Sequence, residues 1–239
     1  MTARLEVDSP DRIARRPAPG WAADVWLRMR RLFLLKLFGI TAVITLFFMG
    51  YFHVLRHPVY PVAVMPLTAL DALVPFQPSM LVPYLSLWFY VGLAPGLQLT
   101  IRQLLTYAVW ATGLCLTGLG VFYLWPTAVP PLTVGVTDWT GFEMLRGLDA
   151  SGNACPSMHV AFAVFSAFWL AQVLRSARVP AGLRILNLAW LLAITWSTVA
   201  IRQHVVLDVV AGALLGAMFA WLSLRWRPDD DFGYSAGPR

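Results

Sequence analysis

Charge is scarce in this sequence. Asp, Glu, Lys and Arg make up 13% of its 239 residues, while 59% are hydrophobic. A soluble domain carries about 25% charged residues, so a water-facing surface of ordinary polarity is excluded. Lysine occurs once, at Lys36. Cysteine occurs twice, at Cys115 and Cys155, with Cys115 in the middle of an apolar run. That excludes a disulfide framework and a zinc-type ligand set, and leaves buried thiols. Basic patches interleaved with aromatics are missing, which argues against a nucleic-acid surface, and no internal repeat is visible. What the chain has in plenty is apolar runs long enough to cross a bilayer. Against that background a net charge of +6 points to an anionic membrane face.

The fold class read from these runs is all-α: a polytopic membrane helix bundle with six transmembrane helices and both termini cytoplasmic. Residues 1–31 form a basic cytoplasmic tail, with an interfacial helix expected over Trp21 to Arg31. Residues 32–227 hold the spans, near Phe33–Val54, Leu81–Leu97, Leu104–Trp125, Ser157–Leu174, Ile185–Ile201 and Val205–Leu224. Residues 228–239 form a second cytoplasmic tail. This threading puts fifteen of the 18 Lys and Arg residues on the side of the amino terminus. Only Arg56, Arg146 and Arg202 fall on the other side, a strong positive-inside bias. A bacterial inner (plasma) membrane is the expected location.

Two stretches far apart in sequence carry chemistry. Pro156-Ser157-Met158-His159 opens the fourth span, and His204-x3-Asp208 opens the sixth. Both fall on the extracytoplasmic side. A carboxylate one turn inside a membrane helix is costly and needs a partner. Four residues before it, His204 lies on the same helical face, and Asp208 would fix its tautomer and leave the other ring nitrogen aimed outward. Pro156 suits the first helical position, with the amide-rich helix end turned toward an anion. Ser157 adds a hydroxyl, and His159 is placed to protonate a leaving oxygen. Each histidine heads a row of small residues, Gly212 and Gly216 after His204, Ala163 and Ala167 after His159, so the two spans are expected to pack along these rows. A second reading of the same residues is a transporter or proton relay. It needs polar groups through the depth of the spans, and spans four to six offer few: Ser166, Gln172, Asn187, Thr195 and Ser197.

These residues resemble the type 2 phosphatidic acid phosphatase superfamily. Its Pro-Ser-x-His motif is matched at Pro156 to His159. Its Ser-Arg-x5-His-x3-Asp motif is matched at Ser197-Thr198, then His204 and Asp208. The resemblance implies an integral membrane enzyme acting on lipid phosphates through a phosphohistidine, working without metal or other cofactor. His204 would be the nucleophile, Asp208 its orienting group, His159 the acid and Ser157 a phosphate ligand. The family's Lys-x6-Arg-Pro motif is absent, and Thr198 stands where the third-motif arginine belongs. By elimination only Arg56, Arg146 and Arg202 can supply the positive charge from this side; Arg202, beside the nucleophile, and Arg146 are the phosphate-binding candidates, and Arg56 reads as an interfacial anchor. Asn153-Ala154-Cys155-Pro156-Ser157-Met158-His159, Arg202-Gln203-His204 and Asp71-x3-Pro75-x2-Pro78 look like the inositol phosphorylceramide synthase branch and its bacterial relatives. Asp71 reads equally well as an ordinary loop residue. The implied partners are a lipid phosphate and membrane lipids.

Overall fold

The computed structural model describes residues 20–131 and 153–228. Among the described residues the helices are α1 (Trp21–Arg30), α2 (Phe33–Arg56), α3 (Ala69–Leu73), α4 (Leu81–Gly96), α5 (Ile101–Leu124), α6 (Met158–Ser176), α7 (Ala181–Ala200) and α8 (Val206–Arg225). The interfacial stretch and all six apolar runs are helical. Five helices, α2, α5, α6, α7 and α8, are long and apolar enough to cross a membrane, which marks an integral membrane protein. The sixth run, α4, has 16 residues, about 24 Å against a hydrocarbon core of roughly 30 Å. Its bounds follow from its prolines. Pro83 sits in the first turn, where its missing N–H goes unused, and Pro95 closes the last turn. A 3-10 turn at Pro78–Met80 leads into the helix.

Packing is organised around α6, the most buried of the five long helices. Ala161, Ala163 and Phe165 are fully enclosed on it, and α4, α7 and α8 pack against it. Its contact with α8 is the most extensive in the molecule. The glycine row of α8 makes this possible, but against a different row of α6 from the one expected. A Cβ on Gly212 would run into the Ser157 carbonyl, and one on Gly216 into the Ala161 carbonyl. The row facing α8 is therefore Ser157–Ala161, not His159–Ala163–Ala167. Two residues along a helix are about 200° apart, so His159 cannot share the Ser157 face. Its row instead meets α4 and α7: Tyr84 stacks on His159 with ring centroids 4.0 Å apart, and Asn187 donates to the Ala167 carbonyl at 3.1 Å.

Two loops at the site end are tied together by more than expected. Strand β1 (Ala63–Val64) pairs in parallel with β2 (Thr127–Ala128). Thr127 then receives the next segment, its carbonyl accepting from Ala154 N at 3.2 Å and its hydroxyl from Cys155 N at 2.8 Å. At the opposite end, buried Lys36 donates to the carbonyls of Arg28 (2.7 Å) and Gly96 (2.8 Å), joining α1, α2 and α4. These bonds meet the polar needs of an ammonium taken out of water.

Candidate active site

The two halves expected from sequence meet at one end of the bundle through a main-chain bond. Ser157 N donates to the Asp208 carbonyl at 3.0 Å. Ser157 is the N-cap of α6, its hydroxyl accepting from Val160 N at 3.3 Å, and it is fully buried. Pro156 therefore lies one residue before the cap rather than at the first helical position. The reason is local: a buried serine satisfies an orphan amide of the first turn, which proline cannot do. Asn153, in a left-handed conformation (φ 54°), donates to the Tyr51 carbonyl at 3.2 Å and ties this entry segment to α2.

The second half is also rearranged from expectation. His204 lies in the turn between α7 and α8, not on α8 itself, whose N-cap is Val205. Gln203 N and His204 N both donate to the Thr198 carbonyl, at 3.0 and 3.1 Å. Arg202 takes a left-handed conformation (φ 59°), a position where glycine is usual after a helix. Thr198, standing where the resembled motif has arginine, thus shapes the histidine loop through its backbone. From that loop His204 Nδ1 still reaches Asp208 Oδ2 at 3.5 Å. The Asp208 side chain is fully buried, and its Oδ2 also accepts from Val205 N at 3.1 Å. The Cys155 thiol lies near enough to the same carboxylate to feel its charge. Burial, reinforced by the Asp208 charge, pushes that thiol up to about 11, so it stays protonated.

His159 lies between Tyr84 and Trp88 of α4, the Trp88 ring at 6.3 Å. Its Nε2 is buried without a hydrogen-bond partner. His159 and His204 border the same cavity of about 460 Å³, which extends into the bundle along α2, α4 and α5. Two imidazole rings, one with an unpartnered Nε2 and one whose Nδ1 lies 3.5 Å from a buried carboxylate, thus open onto one space. No cluster of His, Cys, Asp and Glu suited to a metal ion occurs among the described residues.

Arg202 is not turned toward the histidines. Its guanidinium donates to the carbonyls of Asp71 at 2.8 Å and Val74 at 2.7 Å. Arg146, the other cation expected at a phosphate, lies outside the described residues. Asp71 is the residue that sequence reasoning undervalued. It is 1% exposed and forms a capping box with Thr68. Its Oδ1 accepts from Val206 N, the first helical amide of α8, at 2.8 Å. The Thr68-x2-Asp71 spacing was the available signal, since a capping box has that period. The reach to α8 across 135 positions left no trace in sequence.

Burial raises the Asp71 pKa, but hydrogen bonds from Thr68 and Val206 and the Arg202 charge outweigh it, and the net shift is downward. A depressed carboxylate stabilises the fold above its ordinary pKa, and that contribution disappears as pH falls through the folded value. Asp71→Asn is therefore expected to melt lower than wild type at pH 7, with the gap closing under strongly acidic conditions. A gap that stays constant with pH would rule the carboxylate's charge out as the cause. Because the bond sets the start of α8, the same substitution is expected to lower kcat about tenfold or more while leaving KM nearly unchanged.

A family model described as the PAP2 superfamily matches residues 105–231. The match covers α5 to α8 and both histidine segments. No curated protein and no solved structure matches the chain. With the family model spanning more than half of its length, the chain belongs to the PAP2 superfamily, whose members are phosphatases or phosphotransferases.

Proposed function

We propose that the protein is an integral membrane phosphoryl-transfer enzyme acting on lipid phosphates at the extracytoplasmic face, with six spans and both termini cytoplasmic. The observation that supports it best is the His204–Asp208 contact of 3.5 Å beside the unpartnered Nε2 of His159 on one cavity. Asp208 holds Nδ1–H of His204, leaving the Nε2 lone pair to attack phosphorus. The P–O bond to the leaving group breaks as His159 Nε2 transfers its proton to that oxygen. Water or a lipid alcohol then attacks the phosphohistidine, gives its proton to His159, and the N–P bond breaks. The mechanism needs no metal.

The α8 amides nearest the site are already taken: Val205 N by Asp208 and Val206 N by Asp71. At the head of α6 Ser157 N and Val160 N also have partners, and the anion-binding end is assigned to the first turn of α6 at Met158 and His159, which line the cavity, with the Ser157 hydroxyl buried behind them. Arg202 contributes its charge from the neighbouring loop, and Arg146 is a candidate direct ligand. An acceptor alcohol in place of water would make the protein a headgroup transferase of the inositol phosphorylceramide synthase type. The deciding assay supplies a labelled phospholipid in detergent with and without alcohol acceptors and follows free phosphate and new lipid together. Neither product from a folded preparation would reject the reading.

The transporter alternative loses ground on a specific point. Asn187 bonds Tyr90 at 2.7 Å, Ser197 bonds the Ile194 carbonyl at 2.6 Å, and Ser166 lies 3.5 Å from the Tyr107 hydroxyl. Asn187 and Ser166 are thus engaged between helices and Ser197 within its own.

A further inference from the structure

The cavity that holds His159 and His204 continues far beyond the chemistry. It follows α2 from Tyr51 and Phe52 beside the histidines down to Leu35 and Lys36. That is a length of about 25 Å at 1.5 Å per residue, well past the middle of a bilayer core of roughly 30 Å. Its walls are apolar side chains such as Val43, Phe47, Val91 and Leu104. Its far end is charged: Lys36 is held there by the Arg28 and Gly96 carbonyls. Two of its walls, α2 and α4, precede residue 105, where the family match begins.

We propose that this slot holds a single long alkyl chain of the substrate and that Lys36 forms its floor. The inference rests on the phosphoryl-transfer reading and adds the chain class to it. Two observations select the occupant. Both histidines line the end opposite Lys36, so a chain lying in the slot carries its head group to them. Between the histidines and Lys36 the slot carries no charged group and its lining is mostly apolar, the pattern of one unbranched hydrocarbon tail. In a membrane, moving a chain from lipid into such a slot brings little hydrophobic gain, because lipid tails are as apolar as the walls. Selection must come from length. A chain shorter than the slot fits and anchors the head group, whereas a longer one is driven against a buried ammonium and its two carbonyls.

Gly39 offers a clean test. It lines the slot one turn above Lys36, and a Cβ there meets nothing within 4 Å. Ala108 lines it higher up, on α5. Wild type, Gly39→Phe and Ala108→Leu would be assayed in detergent on an alkyl phosphate series from octyl to docosyl, with phenyl phosphate as a tail-less control. The wild-type kcat/KM is expected to rise with chain length and then fall. In Gly39→Phe the maximum moves to shorter chains, with about a tenfold loss on the longest ones, and in Ala108→Leu it moves further. Turnover of phenyl phosphate stays unchanged in both.

Equal chain profiles in all three proteins would overturn the chain slot while leaving phosphoryl transfer intact. Absence of turnover of every substrate by folded wild type would instead overturn the reading on which it rests. Oligomeric state is measured alongside. A slot variant that changes association and leaves the chain profile alone would assign the groove to a second copy and overturn the proposal.

Discussion

His204→Ala is expected to lower kcat on a lipid phosphate at least about a thousandfold, with melting temperature close to wild type. The size follows from the role. Without the ring there is no atom to form the covalent intermediate, and the remaining site offers only binding and a proton donor. The small effect on stability follows from position. His204 lies in a turn and is only partly buried, and the bonds that hold the loop come from its backbone N–H and that of Gln203 to Thr198. A folded variant with undiminished turnover would reject the nucleophile assignment. His159→Ala tests the acid separately: its loss should fall as the leaving group becomes a better one, so that phenyl phosphate is hydrolysed with a smaller deficit than an alkyl phosphate. The loss in His204→Ala should not depend on the leaving group.

The second large effect comes from a residue with no side chain. Gly212→Ala is expected to destabilise the protein by about 3 kcal/mol and to reduce kcat by about a hundredfold. The added methyl would collide with the Ser157 carbonyl, a backbone atom at the start of α6. A flexible side chain could turn away; a main-chain oxygen moves only if the helix moves. The same contact lies one turn from the bond between Ser157 N and Asp208 O. Separating α6 from α8 there also separates His159 from the His204–Asp208 pair. Gly182→Ala is the control. It is a helical glycine at the other end of α7, with nothing within 4 Å of its Cβ, and it should leave activity untouched. Equal effects at the two positions would show that helix propensity rather than close approach governs Gly212.

The helices and the two histidine segments were legible because both leave short-range marks. Apolar runs of membrane length, Pro-Ser-x-His and His-x3-Asp are patterns within a few to twenty-odd residues. The errors share a cause as well. The sequence pattern suits Pro156 for a first helical position and His204 for the face of Asp208, but capping and C-terminal turns are decided by a residue or two of local geometry. Steps of four from His159 point to the Ala163 row, but the row through Ala161 is small as well, and spacing along one helix cannot say which face meets a neighbour. Asp71 stayed ambiguous between a loop acid and a functional one, since its partner is a backbone amide, and a backbone amide has no signature in sequence.

Sequence alone, then, determined that the chain is a membrane helix bundle and that two histidines and one carboxylate stand at the heads of its helices. Hydrocarbon thickness and the cost of buried charge act through composition and local spacing, so one dimension suffices for those properties. Tertiary structure decided how the heads are joined: by the Ser157–Asp208 main-chain bond, by the glycine face of α8 against Ser157 and Ala161, and by Asp71 reaching the first turn of α8. It also decided that Arg202 faces the Asp71 loop. These depend on the approach of elements 50 to more than a hundred residues apart. They are carried largely by backbone atoms, which every residue but proline supplies alike.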